Sequence, residues 1–371
     1  MKEFRINTII QQYNNCKEFC ENFNIGKNDL IITSKHIYQD YLEDLTSNAS
    51  IIYLRDYGIG EPTDELVERI YCDVKDMPYK RVFGIGGGSI LDVAKLFALK
   101  NISPVLELFD HKLLLEKEKE LILVPTTCGT GSEVTNISIL ELTSRHTKLG
   151  LAENELYADY AVLIPELLDN LPFSFFATSS IDALIHAIES YLSPKANQFT
   201  QMYSLRAIEM ILKGYQRIAK EGEEARISIM ENFLLASTYG GIAFGNAGTG
   251  AVHAMSYPIG ATYHIPHGES NYAIFTGVFK MYQNMKPNGK IHQLNIFLTD
   301  ILNCSEDAVY DELDTLLNHI IPQKSLQEYG VTQEKLEQFT ISVMEKQGRL
   351  MANNYVELPK ATVYQIYESL Y

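Results

Sequence analysis

The sequence predicts a mostly parallel, doubly wound α/β domain over residues 1–177 and an all-helical domain over residues 178–371. Three observations lead to this prediction. The chain has 371 residues, which is too long for one typical core. Short apolar runs alternate with helix-like segments in the first half. Strand-like runs almost vanish after about residue 175.

The predicted strands are short runs rich in Ile, Leu and Val, at 29–33, 50–54, 80–85, 121–125 and 161–164. Segments with helical apolar spacing lie between them, for example at 63–76 and 89–100. Continuous apolar strands that alternate with helices are typical of a parallel sheet covered on both faces. In the second half, helical spacing continues through 179–192, 201–221, 225–244 and 333–351, which predicts a helical domain.

Composition restricts the class of partner. The formal net charge of −16 argues against binding to nucleic acid or to an anionic membrane surface, so we expect a small-molecule ligand. The N-terminus lacks an apolar core of signal-peptide length, and no apolar run reaches the roughly 18 residues of a membrane span. The five cysteines include no CxxC pair. These features predict a reduced, cytoplasmic protein.

A glycine-rich turn, FGIGGGSILDVAK, follows the predicted strand at 80–85 and leads into a helix. Gly86, Gly87 and Gly88 let the backbone approach an anion without a Cβ clash. Ser89 is predicted as the N-cap, and Asp92 as the partner that completes a capping box. A helix N-terminus with free N–H groups favours a pyrophosphate, although such turns also cap helices without any ligand.

A second glycine-rich turn, PTTCGTGSEVT, follows the predicted strand at 121–125. Thr126 and Thr127 offer hydroxyls to a ligand, or they cap the turn. Because the carboxyl ends of parallel strands meet at one edge of the sheet, where ligands bind, the two turns are expected to lie together. Two such turns after successive strands predict a Rossmann-like, dinucleotide-binding domain.

Asp182 and His186 are four residues apart in the helical segment 179–192, so they share one helix face. They border an apolar stripe, and burying them without partners would cost several kcal/mol. A metal ion would satisfy both side chains, and so would a simple Asp–His hydrogen bond.

Three histidines in HAMSYPIGATYHIPH favour the metal. They are His253, His264 and His267. One oxygen and about three nitrogen ligands suit Fe²⁺, Zn²⁺ or a similar divalent ion, and an open coordination position makes such a site catalytic. Spacing alone does not choose which two of the three histidines bind.

Taken together, these segments resemble the iron-containing (group III) alcohol dehydrogenase family. The matching stretches are GIGGGSILDVAK, VPTTCGTGSEVT, IDALIHAIESY, HAMSYPIGATYHIPHG with the following ESN, and GRLMANN. The resemblance covers essentially the whole chain. Within the family, the general character of the sequence, including GEPT at 60–63, is most similar to the 4-hydroxybutyrate dehydrogenases.

The resemblance implies a set of site residues. The implied metal ligands, for Fe²⁺ first and Zn²⁺ second, are Asp182, His186, His253 and His267. The implied cofactor-binding residues are Gly86, Gly87, Gly88, Ser89, Asp92, Thr126, Thr127, Thr130 and Lys148. Lys148 would lie near the cofactor ribose, whereas the residues alone indicate a solvated charge. His264 would line the pocket or lie on the surface.

Two positions depart from the family pattern. Tyr257 stands where many members have a histidine near the substrate, and a phenol with a pKa near 10 is a poorer proton shuttle. Tyr257 and His264 are therefore candidates for the catalytic pocket. Ser34 stands where members that use NAD often have an aspartate on the ribose. NAD remains the expected cofactor, with NADP as the alternative.

The resemblance implies an oxidoreductase that interconverts 4-hydroxybutyrate and succinate semialdehyde by metal-assisted hydride transfer. Tyr257, His264 and Asn136 are candidates to hold the substrate carboxylate. Other functions on the same fold are a primary alcohol or polyol dehydrogenase, a sugar-phosphate lyase, and a non-enzymatic NAD or metal sensor. A homodimer is the default expectation for an oligomer.

Overall fold

The structure is a computed structural model that describes residues 3–46, 48–145 and 147–371. The chain divides into two compact units. One is Ile6–Leu171, and the other is Pro172–Tyr371 together with the N-terminal segment that ends at Arg5. The division lies between Leu171 and Pro172, whereas the sequence predicted 177/178. A helix begins at Phe173, six residues before the predicted helical segment 179–192. Residues 177 and 178 therefore both lie inside this helix.

The unit Ile6–Leu171 is built on a six-stranded sheet in the order β1-β8-β5-β4-β2-β3, with every pair parallel. The strands in chain order are β1 (Ile9–Gln12), β2 (Asp29–Thr33), β3 (Ser50–Tyr53), β4 (Arg81–Gly86), β5 (Glu120–Pro125), β6 (Ile137–Leu142), β7 (Thr147–Ala152) and β8 (Tyr160–Leu163). The predicted parallel α/β sheet is confirmed. All five residues of β2 are buried, as expected for a strand covered on both faces.

The helices of this unit are α1 (Cys16–Phe23), α2 (Lys35–Ile37), α3 (Asp64–Val74), α4 (Gly88–Phe97) and α5 (Val105–Phe109). The side chain of Thr63 caps α3 by accepting a hydrogen bond from the N–H of Leu66 at 3.0 Å. Helix α4 buries seven of its ten residues, and six of the seven are apolar members of the core cluster beside the sheet. This burial sets the turn before α4 firmly at the end of β4.

Three strands were not predicted. β6 and β7 form an antiparallel hairpin, and β1 forms an edge of the sheet. Burial alternates along β6, and β1 is mostly exposed, so neither contains the continuous apolar run that marks the buried strands. A search for such runs therefore passes over them.

The second unit is helical throughout its described residues. Its helices are α6 (Phe173–Leu192), α7 (Gln198–Glu221), α8 (Met230–Ala247), α9 (Ala251–Tyr263), α10 (His267–Met285), α11 (Lys290–Leu302), α12 (Val309–Asn318), α13 (Gln333–Lys346), α14 (Gly348–Met351) and α15 (Lys360–Ser369). Helix α6 is central, because 15 of its 20 residues are buried and α7, α8 and α10 pack against it. Among the described helices, none has the length and apolarity that crossing a membrane requires.

Candidate functional site

One carboxylate meets three imidazoles in the helical unit. Asp182 and His186 lie on α6, His253 lies in the first turn of α9, and His267 opens α10. One side-chain ligand atom from each of the four lies within 4.8 Å of the others. Asp182 Oδ1 lies 3.8 Å from His253 Nε2 and 3.7 Å from His267 Nε2. Asp182 Oδ2 lies 3.9 Å from His186 Nδ1, too far for a hydrogen bond.

A close helix approach brings His267 to this cluster. A Cβ on Gly268 would lie 2.0 Å from the carbonyl oxygen of Thr178 on α6, so only glycine fits there. Pro266 precedes α10 in extended conformation and starts the helix at His267. The position of the His267 side chain therefore depends on how closely α10 packs against α6.

The cluster is buried except at His267, whose side chain is 38% exposed. Burial by itself raises the pKa of Asp182. The three imidazoles and the amide of Asn271 outweigh that effect and hold the pKa below its usual range. Burial lowers the pKa of His253, but the carboxylates of Glu189 and Asp182 outweigh it and raise the pKa. The site is thus electrostatically suited to a cation.

The surroundings of the two ring nitrogens of His253 show whether these residues fit a metal ion. Its Nδ1 lies 2.6 Å from Glu189 Oε2, whereas its Nε2 is buried, has no hydrogen-bond partner among the described residues, and faces Asp182. A buried nitrogen without a partner is costly, and a divalent ion would satisfy it. One carboxylate oxygen and three imidazole nitrogens form a donor set that suits Fe²⁺ or Zn²⁺. The residues fit such an ion.

Two residues that support the cluster were missed from the sequence. Asn271 donates a hydrogen bond to Asp182 Oδ1 at 2.8 Å and itself accepts one from the hydroxyl of Ser256. Glu189 is the carboxylate behind His253. Helical spacing carried the signal, since Asn271 is four residues after His267 and Glu189 is three after His186.

The remaining candidates of this unit lie around the cluster or away from it. The ring of Tyr257, one turn after His253, has its centroid 5.9 Å from that of His267. His264 is exposed and ends α9 in left-handed conformation, with φ of 54°. The cluster thus forms with His253 and His267 and without His264.

In the other unit, the two glycine turns lie side by side at the carboxyl edge of the sheet. Gly86 pairs with Pro125 across β4 and β5, and the N–H of Thr126 donates to the carbonyl oxygen of Gly86 at 3.0 Å. A Cβ on Gly88 would lie 2.7 Å from Thr130 Cγ2, and one on Gly87 would lie 3.5 Å from Thr127 Cγ2.

Ser34 joins the same edge, because it follows β2, whose last residue pairs with Ile85 of β4. From β2 the chain continues to β3 on one side of the sheet, and from β4 it continues to β5 on the opposite side. This arrangement is the switch point at which doubly wound sheets bind ligands.

The predicted capping box is wrong. The N-cap of α4 is Gly87, in extended conformation, so Ser89 lies within the first turn, and no side chain in the described part of the protein caps the helix. Asp92 points to the second glycine turn instead. Its oxygens accept hydrogen bonds from the Ser132 hydroxyl at 2.5 Å and the Ile139 N–H at 3.0 Å. Asp92 is thereby engaged by groups of the protein.

Lys95 also joins α4 to the second glycine turn and to the start of β6, contacts that the sequence did not suggest. Its side chain is fully buried, and its Nζ donates to the Ser132 hydroxyl and the Ile137 carbonyl oxygen, each at 2.6 Å. Burial lowers its pKa, which the carboxylate of Asp92 partly opposes. Lys148, in β7, pairs with Glu61 at 2.7 Å.

Two family models match this chain. Residues 7–165 match the iron-containing alcohol dehydrogenase model, and residues 176–371 match the C-terminal model of the Fe-containing alcohol dehydrogenase family. The chain belongs to the iron-containing alcohol dehydrogenase family. The resemblance found in the sequence is confirmed.

Two relatives match most or all of the chain. The 4-hydroxybutyrate dehydrogenase of Clostridium kluyveri is 48% identical over 371 residues, which is 100% of both chains. Long-chain-alcohol dehydrogenase 1 of Geobacillus thermodenitrificans is 34% identical over 84% of this chain and 80% of its own.

Solved structures share the fold. Sulfoacetaldehyde reductase from Bifidobacterium kashiwanohense, in complex with NAD⁺, superposes with a TM-score of 0.87 at 22% identity, over 100% of this chain and 98% of its own. A 1,3-propanediol oxidoreductase superposes with a TM-score of 0.87 at 21% identity over 100% of both chains.

Proposed function

We propose that this protein is an NAD(P)-dependent oxidoreductase that interconverts 4-hydroxybutyrate and succinate semialdehyde. The observation that carries the proposal is the meeting of Asp182 with three imidazoles in a chain that is 48% identical, over its full length, to a 4-hydroxybutyrate dehydrogenase. A cytoplasmic location and a homodimer stay predictions.

The proposed ligands of a divalent ion are Asp182, His186, His253 and His267. Fe²⁺ is the first candidate, which the family supports, and Zn²⁺ is the second. When bound, such an ion supplies Lewis acidity towards the carbonyl oxygen of the aldehyde. Asn271 keeps the carboxylate of Asp182 oriented, and the exposed side of His267 leaves access from solvent.

The proposed cofactor is a nicotinamide dinucleotide on the carboxyl edge formed by Ser34 and the two glycine turns. Backbone N–H groups at the start of α4 would bind its pyrophosphate. NAD is the first choice, supported by the complex of the sulfoacetaldehyde reductase with NAD⁺. Ser34 carries no negative charge to repel a 2′-phosphate, so NADP is compared directly in the assay.

Tyr257 is the proposed hydrogen-bond donor to substrate in the pocket. It lies one turn from His253, and its ring is near that of His267. Its phenol donates one hydrogen bond and is a weak acid, so the proton that enters or leaves the alcohol is expected to come through water. The carboxylate-binding group of the pocket stays a prediction shared by Tyr257, His264 and Asn136.

The test is a steady-state assay with NADH and NADPH, on protein loaded anaerobically with Fe²⁺ or with Zn²⁺. We expect kcat/KM for succinate semialdehyde to exceed that for butanal, which lacks the carboxylate, by at least about 100-fold, since polar groups arranged to bond a carboxylate stay unpaired when the analogue lacks it. Comparable values for the two aldehydes would favour a general alcohol dehydrogenase.

Variants separate the site from the fold. Asp182→Ala and His267→Ala are expected to lose the bound metal and at least about 1,000-fold in kcat, with circular dichroism unchanged, because electrostatic stabilisation is a large part of catalysis. His319→Ala is the matched control, since His319 is exposed and its side chain contacts only the carbonyl oxygen of Thr315 among the hydrogen bonds described. Full metal content in Asp182→Ala would contradict the ligand set.

A further inference from the structure

A buried glutamate lies directly behind the cluster. Glu189 is on α6, one turn after His186, and only 2% of its side chain is exposed. Its Oε1 accepts a hydrogen bond from the N–H of Val252 at 2.7 Å. Its Oε2 lies 2.6 Å from Nδ1 of His253. Both oxygens therefore contact the first turn of α9, and both contacts are buried.

We propose that Glu189 is a positioning residue that fixes the tautomer of His253, and that it thereby sets the affinity of the site for a divalent ion. The proposal rests on the proposed metal site. A carboxylate oxygen is only an acceptor, so at 2.6 Å the imidazole Nδ1 must carry the hydrogen. The lone pair of the neutral ring is then on Nε2, the nitrogen that faces Asp182 at 3.8 Å.

The surrounding turn is shaped for this contact. A Cβ on Gly250 would clash with Asn354 Oδ1 at 2.8 Å and would lie 3.4 Å from Glu189 Oε1, so glycine lets this turn pack closely beside both side chains. The amide of Asn353 donates to the carbonyl oxygens of Ala247 and Thr249, at 2.9 and 3.0 Å. The segment GRLMANN thus holds the turn before α9, while Glu189 holds the first turn of the helix itself.

The test is Glu189→Gln, which keeps the shape of the side chain. The N–H of Val252 still requires the single amide oxygen, so the amide NH₂ faces His253 Nδ1. Nδ1 must then accept, and the hydrogen moves to Nε2, where it blocks the ion. We expect affinity for Zn²⁺ or Co²⁺, measured on metal-free protein by competition with a chelator, to fall about 10–100-fold.

Matched measurements separate this role from a general loss of structure. Glu209→Gln on α7 makes the same chemical change on the surface, where Glu209 pairs with Lys213 and Arg206, and should bind the ion as wild type does. In metal-free protein, at a pH where the imidazole is neutral, ¹⁵N-histidine NMR should report the hydrogen of His253 on Nδ1 in wild type and on Nε2 in Glu189→Gln. The wild-type spectrum alone tests the proposal if the variant does not fold.

Two results would overturn the inference. One is a Glu189→Gln protein that binds the ion as tightly as wild type, and the other is a wild-type His253 with its hydrogen on Nε2 alone. Asp182→Ala distinguishes this from failure of the proposed function. If Asp182→Ala binds the ion as well as wild type, the metal site itself is wrong. If it loses the ion while Glu189→Gln keeps it, only the positioning role is wrong.

Discussion

Gly88→Ala should disturb the contact between the two glycine turns. The added Cβ would lie 2.7 Å from Thr130 Cγ2 and 3.2 Å from both Cβ and Oγ1 of Thr130. Carbon atoms pack best at about 3.5–4.0 Å, so the turns must separate by roughly 1 Å. Such overpacking costs about 1–3 kcal/mol, while alanine returns up to about 1 kcal/mol of helix propensity at the start of α4.

The expected net loss is about 1–2 kcal/mol in the free energy of unfolding, or roughly 2–8 °C in Tm. Dinucleotide affinity should fall at least about tenfold, because the displaced turn presents its N–H groups poorly. Denaturant titration measures the stability, and NADH fluorescence titration measures the affinity.

Gly87→Ala is the matched control. Its Cβ would lie at an ordinary 3.5 Å from Thr127 Cγ2, and its φ of −74° suits alanine. Stability should change by less than about 0.5 kcal/mol, while the methyl group still obstructs a bound phosphate. Thr130→Ser removes the clashing methyl group and should restore part of the stability of Gly88→Ala. A Gly88→Ala protein as stable as wild type, or no recovery with Thr130→Ser, would show that this contact does not limit the approach of the two turns.

Three further predictions follow from buried and unpaired groups. Lys95→Met should lower the free energy of unfolding by about 2–4 kcal/mol, because Asp92 loses its buried cation; an unchanged denaturation midpoint would contradict this. Ser34 is the N-cap residue of α2, and its side chain makes no cap hydrogen bond among the described residues. Ser34→Asp should lower kcat/KM with NADPH at least about tenfold more than with NADH, and equal losses would exclude ribose recognition at this position. Cys72, the exposed thiol, should react first with a thiol reagent at pH 8, and Cys20 only after unfolding, because burial raises the pKa of Cys20 to about 12.

The buried strands were predictable because burial on both faces leaves a run that polar residues cannot interrupt. The predicted 29–33 coincides with β2, and the predicted 121–125 differs from β5 by one residue. The hairpin of β6 and β7 was missed because one face of β6 meets solvent, so its sequence is only partly apolar. The start of α4 was misplaced because glycine caps a helix through its backbone alone, and Ser89 suggested a side-chain cap that does not form.

In both candidate sites, the sequence could predict only those neighbouring side chains that lie on the same helix. Asp182 and His186 follow from helical spacing within α6, because local geometry alone sets their separation. The hydrogen bond between Asp92 and Ser132 joins two residues that are 40 apart in the chain, and no local pattern indicates it. The same is true of Glu189 and His253, which are 64 residues apart.

The order of residues along the chain was enough to identify the family, the alternation of buried strands and helices, and the residue types that a divalent ion requires. Tertiary structure decided which histidines meet the carboxylate of Asp182, which nitrogen of His253 faces it, and where the side chain of Asp92 points. The physical reason is that periodicity reports the environment of each residue along its own helix or strand. Contact between elements depends on packing distances, such as the approach of α10 to α6 that Gly268 permits.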